Sequence, residues 1–576
     1  MIATGLSSPP RLGPNTLRVI PLGGLGDVGR NMTAFEVNGD ILLVDAGVLF
    51  PEERHPGVDL ILPGWEVIAD RLDDVVGLVL THGHEDHIGA VPYLLRQRPD
   101  IPVYGSRLTL GFVRGKLKEH RLHHSDLNEV AEGDRFEIGQ QFEVEFIAVN
   151  HSIPDALAVC LRTVAGTVLH TGDFKMDQLP LDRRVTDLRG FARLGAEGVD
   201  LFMADSTNAE VPGFTVGELE VEPALRRVFD TAVNKIVVAC FSSHVHRVQQ
   251  IINQAVQHDR KIVYVGRSMV RNMTVARELG FLEAPGDALI ELKDLDNYPA
   301  DRVVIISTGS QGEPLSALAR MANGEHPNVV VSPGDTVLLA SSLVPGNENA
   351  VSRVINRLTR LGARVVHKGN ALVHVSGHAS AGELLYCYNI VRPRHVLPVH
   401  GEARHLIANA NLAIATGVPE ECAIVAEDGC VIDLADHRAQ VVGKVDAGYI
   451  FVDGSSVGGL SEESLADRRI LGAAGFITVI AVIDAARRQL TELDIHARGF
   501  VEEDAVFEAV RPQITENLND ALREGVADQH QLQQVIRRTV GRWVSATLRG
   551  RPMIVPVVVT TGPPAAPTTG RRRSRN

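Results

Sequence analysis

The segment Thr81-His82-Gly83-His84-Glu85-Asp86-His87 constrains the fold of this chain more than any other, because it holds three imidazoles and two carboxylates within seven residues. Residues 75–80 precede it as a short apolar run that predicts a buried strand, and residues 88–96 predict a helix after it. Imidazole is the commonest metal ligand and carboxylate a natural bridge between ions, so the segment predicts a loop that binds two metals. The alternative is a polar surface loop that only happens to contain histidine.

Length, charge and cysteine content limit the kinds of protein that this chain can be. At 576 residues the chain exceeds one hydrophobic core, which predicts two or three domains. The formal net charge of -14 argues against a non-specific nucleic-acid binder, so a polyanionic substrate would have to meet local cation clusters and metal ions. The five cysteines are scattered without a C-x-x-C pair, which predicts reduced thiols and a cytoplasmic location. We expect neither a secretory segment nor a membrane span.

A glycine-rich stretch near the start, residues 24–29, matches the dinucleotide-binding pattern G-x-G-x-x-G. A dinucleotide loop must open a helix, whereas residues 31–37 favour a strand, followed by an Asn-Gly turn and another strand at residues 41–44. We therefore expect a glycine-rich hairpin. Asp45 closes the last strand, where its carboxylate either supports the metal loop or bonds to the local backbone of a turn, and the sequence leaves both open.

Two further predicted strands are followed by residues that can bind a metal ion. Residues 144–149 predict a strand that leads into His151, and residues 167–170 predict one that leads into Asp173. A lone histidine or a Thr-Gly-Asp turn is usually an ordinary loop feature. Two metals need more ligands than one loop offers, so we expect His151 to complete the first ion site and Asp173 to bridge both.

The pattern His82-x-His84-x-Asp86-His87, then His151, then Asp173 resembles the metallo-β-lactamase fold, a four-layer αβ/βα sandwich with a binuclear site at one edge of its sheets. Asp45 matches the aspartate of that family's first motif. The resemblance extends over nearly the whole chain to the ribonuclease J family of β-CASP nucleases. The segments that carry it, in the expected order, are Asn31-Met32-Thr33, Phe50-Pro51, Asp205-Ser206-Thr207-Asn208, Gly266-Arg267-Ser268, Pro345-Gly346-Asn347-Glu348, His374-Val375-Ser376-Gly377-His378 and Pro398-Val399-His400-Gly401-Glu402.

The resemblance implies a complete set of ligands for two divalent ions. The implied ligands are His82, His84 and His151 for one ion, Asp86, His87 and His400 for the other, and Asp173 as the bridge. Zinc is the implied metal, with manganese or magnesium as alternatives, because a mixed set of His and Asp suits several ions. The implied catalytic residues are Asp86 and His378: the metals would activate a water for attack on phosphorus, and His378 would assist the leaving group.

An inserted domain is predicted between residues 216 and 380. Strand candidates at residues 236–240, 262–265, 303–306 and 337–339 alternate with helical patterns and end in turns rich in Gly, Ser and Thr. This predicts a parallel α/β domain whose loops gather where backbone amides and hydroxyls suit phosphate. The resemblance identifies it as the β-CASP domain and implies RNA-binding residues on two loops, Ser243, His244 and Val245 on one and His374, Val375, Ser376, Gly377 and His378 on the other. The alternative for residues 374–378 is an ordinary turn with buried histidines.

The predicted domain order places the α/β metallo-β-lactamase domain at residues 1–215 and 381–455, with the β-CASP domain at residues 216–380 between its two parts. A linker at residues 456–467, a small C-terminal α/β domain at residues 468–560 and a disordered basic tail at residues 561–576 follow. In some family members a structural calcium is held by the residues matching Asp453 and the carbonyls of Pro56 and Val58; an ordinary turn aspartate is the alternative. The basic tail either adds weak electrostatic contact with RNA or is simply solvated.

The resemblance implies a metal-dependent ribonuclease that acts in RNA maturation, including rRNA processing, and in mRNA decay. It implies 5′-to-3′ exonuclease activity that prefers a 5′-monophosphate, together with endonuclease activity. The implied partners are RNA, further copies of the chain in a homodimer or homotetramer, and other RNA-degradation proteins, with no membrane. The alternatives are a small-molecule hydrolase, a DNA-directed β-CASP enzyme, and an RNA-binding subunit with a decayed active site. The large insert argues against a small substrate and the complete ligand set against decay, whereas the choice of RNA over DNA rests on resemblance alone.

Overall fold

The computed structural model describes residues 6–52, 54–123, 126–313, 315–343, 346–501 and 503–562. The chain divides into two compact units. Unit 1 comprises Met1–Phe50 and Asp59–Val452, and unit 2 comprises Pro51–Val58 and Asp453–Asn576. Across the described ranges, no helix combines the length and apolarity that crossing a bilayer requires. All five cysteines are free thiols.

The strands are β1 (Leu17–Gly23), β2 (Met32–Val37), β3 (Asp40–Val44), β4 (Leu60–Leu62), β5 (Val75–Leu80), β6 (Val103–Gly105), β7 (Leu127–Glu129), β8 (Arg135–Ile138), β9 (Phe142–Ala148), β10 (Leu157–Thr163), β11 (Gly166–His170), β12 (Leu201–Asp205), β13 (Ile236–Ala239), β14 (Lys261–Val265), β15 (Val303–Ser307), β16 (Thr336–Leu339), β17 (Arg364–His367), β18 (His395–Val399), β19 (Cys430–Ala435), β20 (Arg438–Lys444), β21 (Ile450–Asp453), β22 (Ser456–Val457), β23 (Phe476–Asp484), β24 (Gln489–Arg498) and β25 (Met553–Thr561). The helices are α1 (Glu85–Ile88), α2 (Val91–Gln97), α3 (Arg107–Glu119), α4 (Leu188–Glu197), α5 (Glu222–Thr231), α6 (Val245–Gln257), α7 (Arg267–Glu278), α8 (Ala317–Ala322), α9 (Glu348–Arg360), α10 (Ala381–Val391), α11 (Ala403–Ala415), α12 (Glu462–Ala474), α13 (Arg511–Arg523) and α14 (Gln529–Thr547).

Two facing sheets form the centre of unit 1. Their strand orders are β20-β19-β1-β2-β3-β5-β6-β7 and β18-β12-β11-β10-β9-β8. Side chains alternate between the two faces of each strand: Leu17 and Val19 of β1 enter the core between the sheets, whereas Ile20 and Leu22 enter the core on the opposite face. Helices α4, α10 and α11 pack on the outer face of the six-stranded sheet. The predicted αβ/βα sandwich is therefore confirmed.

The glycine-rich stretch after β1 opens no helix. Strands β1, β2 and β3 pair antiparallel in succession, so the predicted hairpin is confirmed. Gly24 has a φ of +97°, a conformation that residues with a side chain rarely adopt. A Cβ atom at Gly24 would also lie 2.4 Å from Oδ1 of Asn31. The glycines serve a tight turn rather than a dinucleotide.

The helix predicted at residues 88–96 is wrong at its start. The structure has two helices: α1 begins at Glu85, inside the metal loop, and α2 begins at Val91. Gly89 and Ala90 separate them, and Pro92 stands in the first turn of α2, where a proline favours a new helix start. The early start places Asp86 and His87 on a helical turn.

The insert is a parallel α/β domain, as predicted. Its five strands follow the order β14-β15-β13-β16-β17, and every adjacent pair is parallel. Both faces are buried: Val237 packs in a core on one side and Val238 in the core on the other. The fifth strand, β17, was not predicted, because its sequence Arg-Val-Val-His offers only two apolar residues.

Unit 2 is a small α/β domain. Its three-stranded sheet has the order β24-β23-β25, with α13 and α14 packed on one face. Helix α12 begins at Glu462, within the predicted linker, where the Ser461 side chain accepts a hydrogen bond from the Ser464 amide as an N-cap. Thr561, the first residue of the predicted tail, is the last residue of β25. Residues 563–576, which hold the basic run, lie outside the described residues.

Candidate metal centre

The ends of strands from both sheets build the site. Strands β11, β12 and β18 are parallel neighbours, so the residues that follow or end them meet at one edge of the sheet. Asp173 follows β11, Asp205 ends β12, and His400 follows β18. From the facing sheet, β5 delivers the metal loop to the same edge. This arrangement brings together side chains that are far apart in the sequence.

The first group of candidate ligands is His82, His84, His151 and Asp173, whose ligand atoms lie within 4.8 Å of one another. Nε2 of His82 and Nε2 of His151 each lie 3.1 Å from Nδ1 of His84. Nitrogens around a tetrahedral zinc ion would be about 3.3 Å apart. Three imidazole nitrogens that converge on one point fit a shared cation, because hydrogen bonds between the rings could not satisfy all of them.

The second group is Asp86, His87, Asp173 and His400. Nε2 of His87 lies 3.2 Å from Oδ2 of Asp173, and Nε2 of His400 lies 3.4 Å from Oδ2 of Asp86. Among the described residues, this His400 nitrogen is buried without a hydrogen-bond partner, as expected of an atom reserved for a cation. Asp173 belongs to both groups, so all seven predicted ligands lie together and Asp173 is placed to bridge.

The electrostatics suit cations. Burial lowers the pKa of His84 to about 4 and holds the pKa of His151 well below its ordinary value, which leaves both rings neutral, as metal ligands must be. Burial raises the pKa of the Asp173 carboxyl, but His400 and His87 outweigh it and hold that pKa well below its usual range. Burial lowers the pKa of His400, but the Asp173 carboxylate and its other acidic neighbours raise it to about 10. A cation would take the place of that proton.

Asp45 contacts a candidate ligand directly. Its Oδ2 lies 2.7 Å from Nδ1 of His87, and its Oδ1 accepts a hydrogen bond of 2.8 Å from the Thr81 amide. The contact at Nδ1 leaves Nε2 of His87 facing the second group, which is how a carboxylate orients a metal-binding histidine. Of the two roles that the sequence left open, the structure shows the first: the carboxylate supports the metal loop, and its backbone contact is with Thr81 of that loop rather than with its own turn.

Two residues that received no predicted role hold His378 in place. Oδ2 of Asp205 lies 2.7 Å from Nδ1 of His378, and the side-chain amide of Asn208 donates to the His378 carbonyl at 3.1 Å. Burial lowers the pKa of His378, but Asp205 outweighs burial and raises it above its ordinary value. Asp205 could have been found from the sequence, because the apolar residues 201–204 before it are typical of a buried strand and a carboxylate follows them at its end.

The two predicted RNA-binding loops meet in unit 1. His244 stands at the start of α6, and the centroid of its ring lies 5.6 Å from that of His374. Nδ1 of His244 and Nδ1 of His374 are buried with no hydrogen-bond partner among the described residues, whereas Nε2 of His244 lies 3.6 Å from Oε1 of Glu218. The side chains of Val245 and Val375 are buried in the apolar core, whereas Ser243, Ser376 and His378 are partly exposed. The Gly377 carbonyl lies 2.7 Å from Nδ1 of His151.

The predicted calcium ligands contact an arginine. Nη2 of Arg468 lies 2.5 Å from Oδ2 of Asp453, and Nη1 donates to the Pro56 carbonyl at 3.1 Å. The amide of Val58, the third predicted ligand residue, donates to the carbonyl of His55 at 3.2 Å. The arrangement does not fit a calcium ion, because a guanidinium already holds two of the three predicted ligand groups.

Models of four known families match the chain. The metallo-beta-lactamase superfamily matches residues 25–197, and the ribonuclease J beta-CASP domain matches residues 233–358. A Zn-dependent metallo-hydrolase RNA specificity domain matches residues 362–425, and the ribonuclease J C-terminal domain matches residues 463–561. Together these matches run from the first sheet to the last strand of unit 2.

Several curated proteins are similar over nearly the full length. A ribonuclease J from Mycolicibacterium smegmatis is 52% identical, with 96% of this chain and 99% of that protein covered. Ribonuclease J from Corynebacterium glutamicum is 46% identical (98% and 78% covered), and that from Thermus thermophilus is 41% identical (94% and 95% covered). A crystal structure of a protein of unknown function from Enterococcus faecalis matches with a TM-score of 0.50 and 16% identity, covering 67% of this chain and 94% of that chain. This last similarity concerns the fold alone.

Proposed function

The chain belongs to the ribonuclease J family, and on that basis we propose that it is a metal-dependent ribonuclease that hydrolyses phosphodiester bonds in RNA maturation and mRNA decay. The observation that carries the proposal is the convergence of seven His and Asp side chains beside an inserted parallel α/β domain. The His and Asp side chains could bind the metal ions that hydrolysis requires. The loops of the insert suit the binding of a long polyanion.

The proposed metal sites are the two groups described above, with Asp173 shared between them. His82, His84 and His151 hold one ion, and Asp86, His87 and His400 hold the other. Bound divalent ions would lower the pKa of a coordinated water and offset negative charge on the phosphate. Zinc is the proposed metal, because five of the seven ligand side chains are imidazoles, with manganese or magnesium as alternatives, because two carboxylates complete the set.

Two residues have proposed catalytic roles beyond metal binding. Asp86 is anionic, because His87 and His400 outweigh the effect of burial and hold its pKa well below the usual range. Its carboxylate is placed to accept a hydrogen bond from the attacking water and so to orient it. His378 is partly exposed at the site and keeps its proton through Asp205, which suits it to donate that proton to the leaving ribose oxygen.

A pocket for the 5′-phosphate is proposed at Ser243, His244, His374, Ser376 and His378. Nδ1 of His244 and Nδ1 of His374, which have no hydrogen-bond partner in the part of the chain that the structure describes, support it, since such buried atoms are costly unless a ligand completes them. A terminal phosphate held there would set the distance from the RNA end to the metals. Release of mononucleotides from the 5′ end follows, whereas RNA that bypasses the pocket would be cut internally.

We also propose that the protein acts in the cytoplasm as a homodimer or homotetramer and contacts other RNA-degradation proteins. The free thiols suit a reducing compartment. For assembly, unit 2 offers the outward side of β25, where Val555, Val557 and Val559 are 38%, 39% and 43% exposed. A row of exposed valines on one strand face suits contact with a second copy.

The proposal is tested by incubating the purified protein with manganese and labelled 5′-monophosphorylated RNA, with DNA of the same sequence as the control. We expect mononucleotides from the 5′ end of the RNA and none from the DNA. The His84→Ala variant controls for a contaminating nuclease. Absence of RNA cleavage with zinc, manganese and magnesium alike would refute the ribonuclease, and equal cleavage of DNA would refute the substrate.

A further inference from the structure

A cluster of buried charges lies between the insert and the sandwich, outside the metal centre. Lys175 and Arg247 are 0% exposed, and the Glu218 carboxylate lies between them. Oε2 of Glu218 lies 2.8 Å from Nη2 of Arg247, and Oε1 lies 3.5 Å from Nζ of Lys175. Burial would raise the pKa of Glu218, but Arg247, His244 and Lys175 hold it well below its usual range, so the Glu218 side chain stays an ionised carboxylate.

The two cations of this cluster hold the backbone of the predicted RNA-binding segment, residues 374–378, and of the residue before it. Nζ of Lys175 donates to the Ser376 carbonyl at 3.2 Å, and Nη1 of Arg247 donates to the Val373 carbonyl. Between these anchors and the metal centre, the carbonyl of Gly377 contacts His151. The segment is therefore fixed on one side by buried cations and on the other by a candidate metal ligand.

Stability alone is a weak reason for such a cluster. Buried ion pairs often stabilise a protein no more than well-packed apolar residues of similar size, because removing charges from water is costly. A cationic donor does what an apolar residue cannot, since it fixes a carbonyl at a set distance and angle. The cluster also joins three parts of the chain: the loop after β11, the start of the insert, and α6.

We propose that Lys175, Glu218 and Arg247 are positioning residues that set the distance between the 5′-phosphate pocket and the metal centre. The proposal rests on the proposed ribonuclease function. Glu218 holds the two cations in place, and the cations hold the carbonyls of Val373 and Ser376. The Ser376 hydroxyl then stays at a fixed distance from His151. In a shifted pocket the terminal phosphate and the scissile phosphate could not both be held, so the monophosphorylated RNA would bind more weakly, whereas 5′-hydroxyl RNA does not use the pocket.

The test compares Lys175→Met with the wild type on 5′-monophosphorylated and 5′-hydroxyl RNA. The methionine keeps the buried volume but cannot donate to the Ser376 carbonyl. We expect KM for the monophosphorylated RNA to rise by about tenfold to a hundredfold, with kcat and the 5′-hydroxyl reaction nearly unchanged. Lys175→Arg, which retains a cationic donor, should restore most of the preference.

The matched control is Arg260→Met. Arg260 is also a buried cation of the insert, and its guanidinium donates to the carbonyls of Asn234 and Ala232, away from the pocket. The Arg260→Met variant should be less stable than the wild type but keep the preference for 5′-monophosphorylated RNA. The measured quantity is the ratio of KM for 5′-monophosphorylated RNA to KM for 5′-hydroxyl RNA. A Lys175→Met protein that is less stable but keeps the wild-type ratio would overturn the proposal. An equal change of this ratio in Arg260→Met would overturn it as well. If Lys175→Met does not fold, Glu218→Gln is the second variant, and the same ratio of KM values is measured for it. A wild type that cleaves no RNA would instead refute the proposed function.

An independent observation concerns the predicted calcium site in unit 2. We infer that Arg468 replaces the calcium ion in this chain, because its guanidinium binds both the Asp453 carboxylate and the Pro56 carbonyl. The close approach of Arg468 to Gly57 supports this, since a Cβ atom at Gly57 would lie 2.7 Å from Nη1. A fixed internal cation needs no supply of calcium.

The test is thermal unfolding of the full chain with excess calcium and with a calcium-selective chelator. We expect the same Tm in both conditions, and a Tm lower by a few degrees for Arg468→Ala. The matched variant is Asp453→Asn, which removes the carboxylate that either cation would need. A calcium-dependent rise in the wild-type Tm that disappears in Asp453→Asn would overturn the inference.

Discussion

Oδ2 of Asp45 lies 2.7 Å from Nδ1 of His87, so the last residue of the first hairpin orients a candidate metal ligand. We expect Asp45→Asn to weaken metal binding by about tenfold to a hundredfold, because loss of an orienting carboxylate costs affinity of that order. Competition with a chromogenic chelator measures it. Asp433→Asn is the control, since that carboxylate pairs with Arg18 instead. Unchanged metal affinity in Asp45→Asn would show that the contact has no effect on the site.

His84→Ala should abolish RNA cleavage while the fold stays intact. His84 is only half-buried, and its Nδ1 is the point on which the nitrogens of His82 and His151 converge. Cleavage of labelled RNA measures the first effect and circular dichroism the second. A purified variant with near-normal nuclease activity would exclude the two-metal mechanism.

Ser376→Ala should weaken the 5′-monophosphate preference more than internal cutting. The Ser376 hydroxyl oxygen accepts hydrogen bonds from the Asn208 side chain at 2.8 Å and from the His378 amide at 3.2 Å, so its removal disturbs the pocket. Rates on 5′-monophosphorylated linear RNA and on circular RNA separate the two activities. Equal losses on both substrates would remove the pocket hypothesis.

Asp205→Asn should lower kcat with little change in KM. The substitution keeps the shape of the side chain but removes the charge that holds the proton on His378. Loss of general acid catalysis lowers a rate by about a hundredfold to ten-thousandfold. Initial rates on both RNA substrates measure the effect, which should be the same for each. A rise in KM with an unchanged kcat would assign Asp205 to substrate binding instead.

Val557→Asp should prevent the proposed assembly of copies of the chain into a homodimer or homotetramer. The side chain is 39% exposed on β25, where a charge would face the second copy. Light scattering coupled to size-exclusion chromatography gives the mass. Val164→Asp is the control, because Val164 is 61% exposed on a turn of unit 1. If the mass of Val557→Asp equals that of the wild type, β25 does not form the interface.

The seven residues that the sequence indicates as metal ligands lie together, and each stands at or near the end of a recognisable strand or inside a dense motif. That they bind metal stays a prediction. The resemblance to the ribonuclease J family, read from the same motifs, is confirmed by the relatives. Local signals were weaker elsewhere. Helix α12 begins at a serine cap inside the predicted linker, and β17 has too few apolar residues to be predicted. The proposed 5′-phosphate pocket and the domain boundaries stay predictions, whereas two of the predicted calcium ligand groups contact Arg468 instead.

The buried cluster of Lys175, Glu218 and Arg247 could not have been predicted from the sequence. A lysine after a strand or an arginine on a helix is usually solvated, and the residues next to it in the sequence do not indicate that it is buried. The partners lie far along the chain: Arg247 reaches the carbonyl of Val373, and Lys175 reaches that of Ser376. Only the tertiary packing of the insert against the sandwich brings them together.

The place of His400 has a consequence for how the protein is made. Strand β18, which delivers His400, pairs with β12 although the whole insert is translated between them. A chain still emerging from the ribosome can carry six of the seven ligands and yet lack the one that closes the second group. As a ribonuclease it would therefore be inert toward the messenger that encodes it until β18 has been synthesised and has paired with β12.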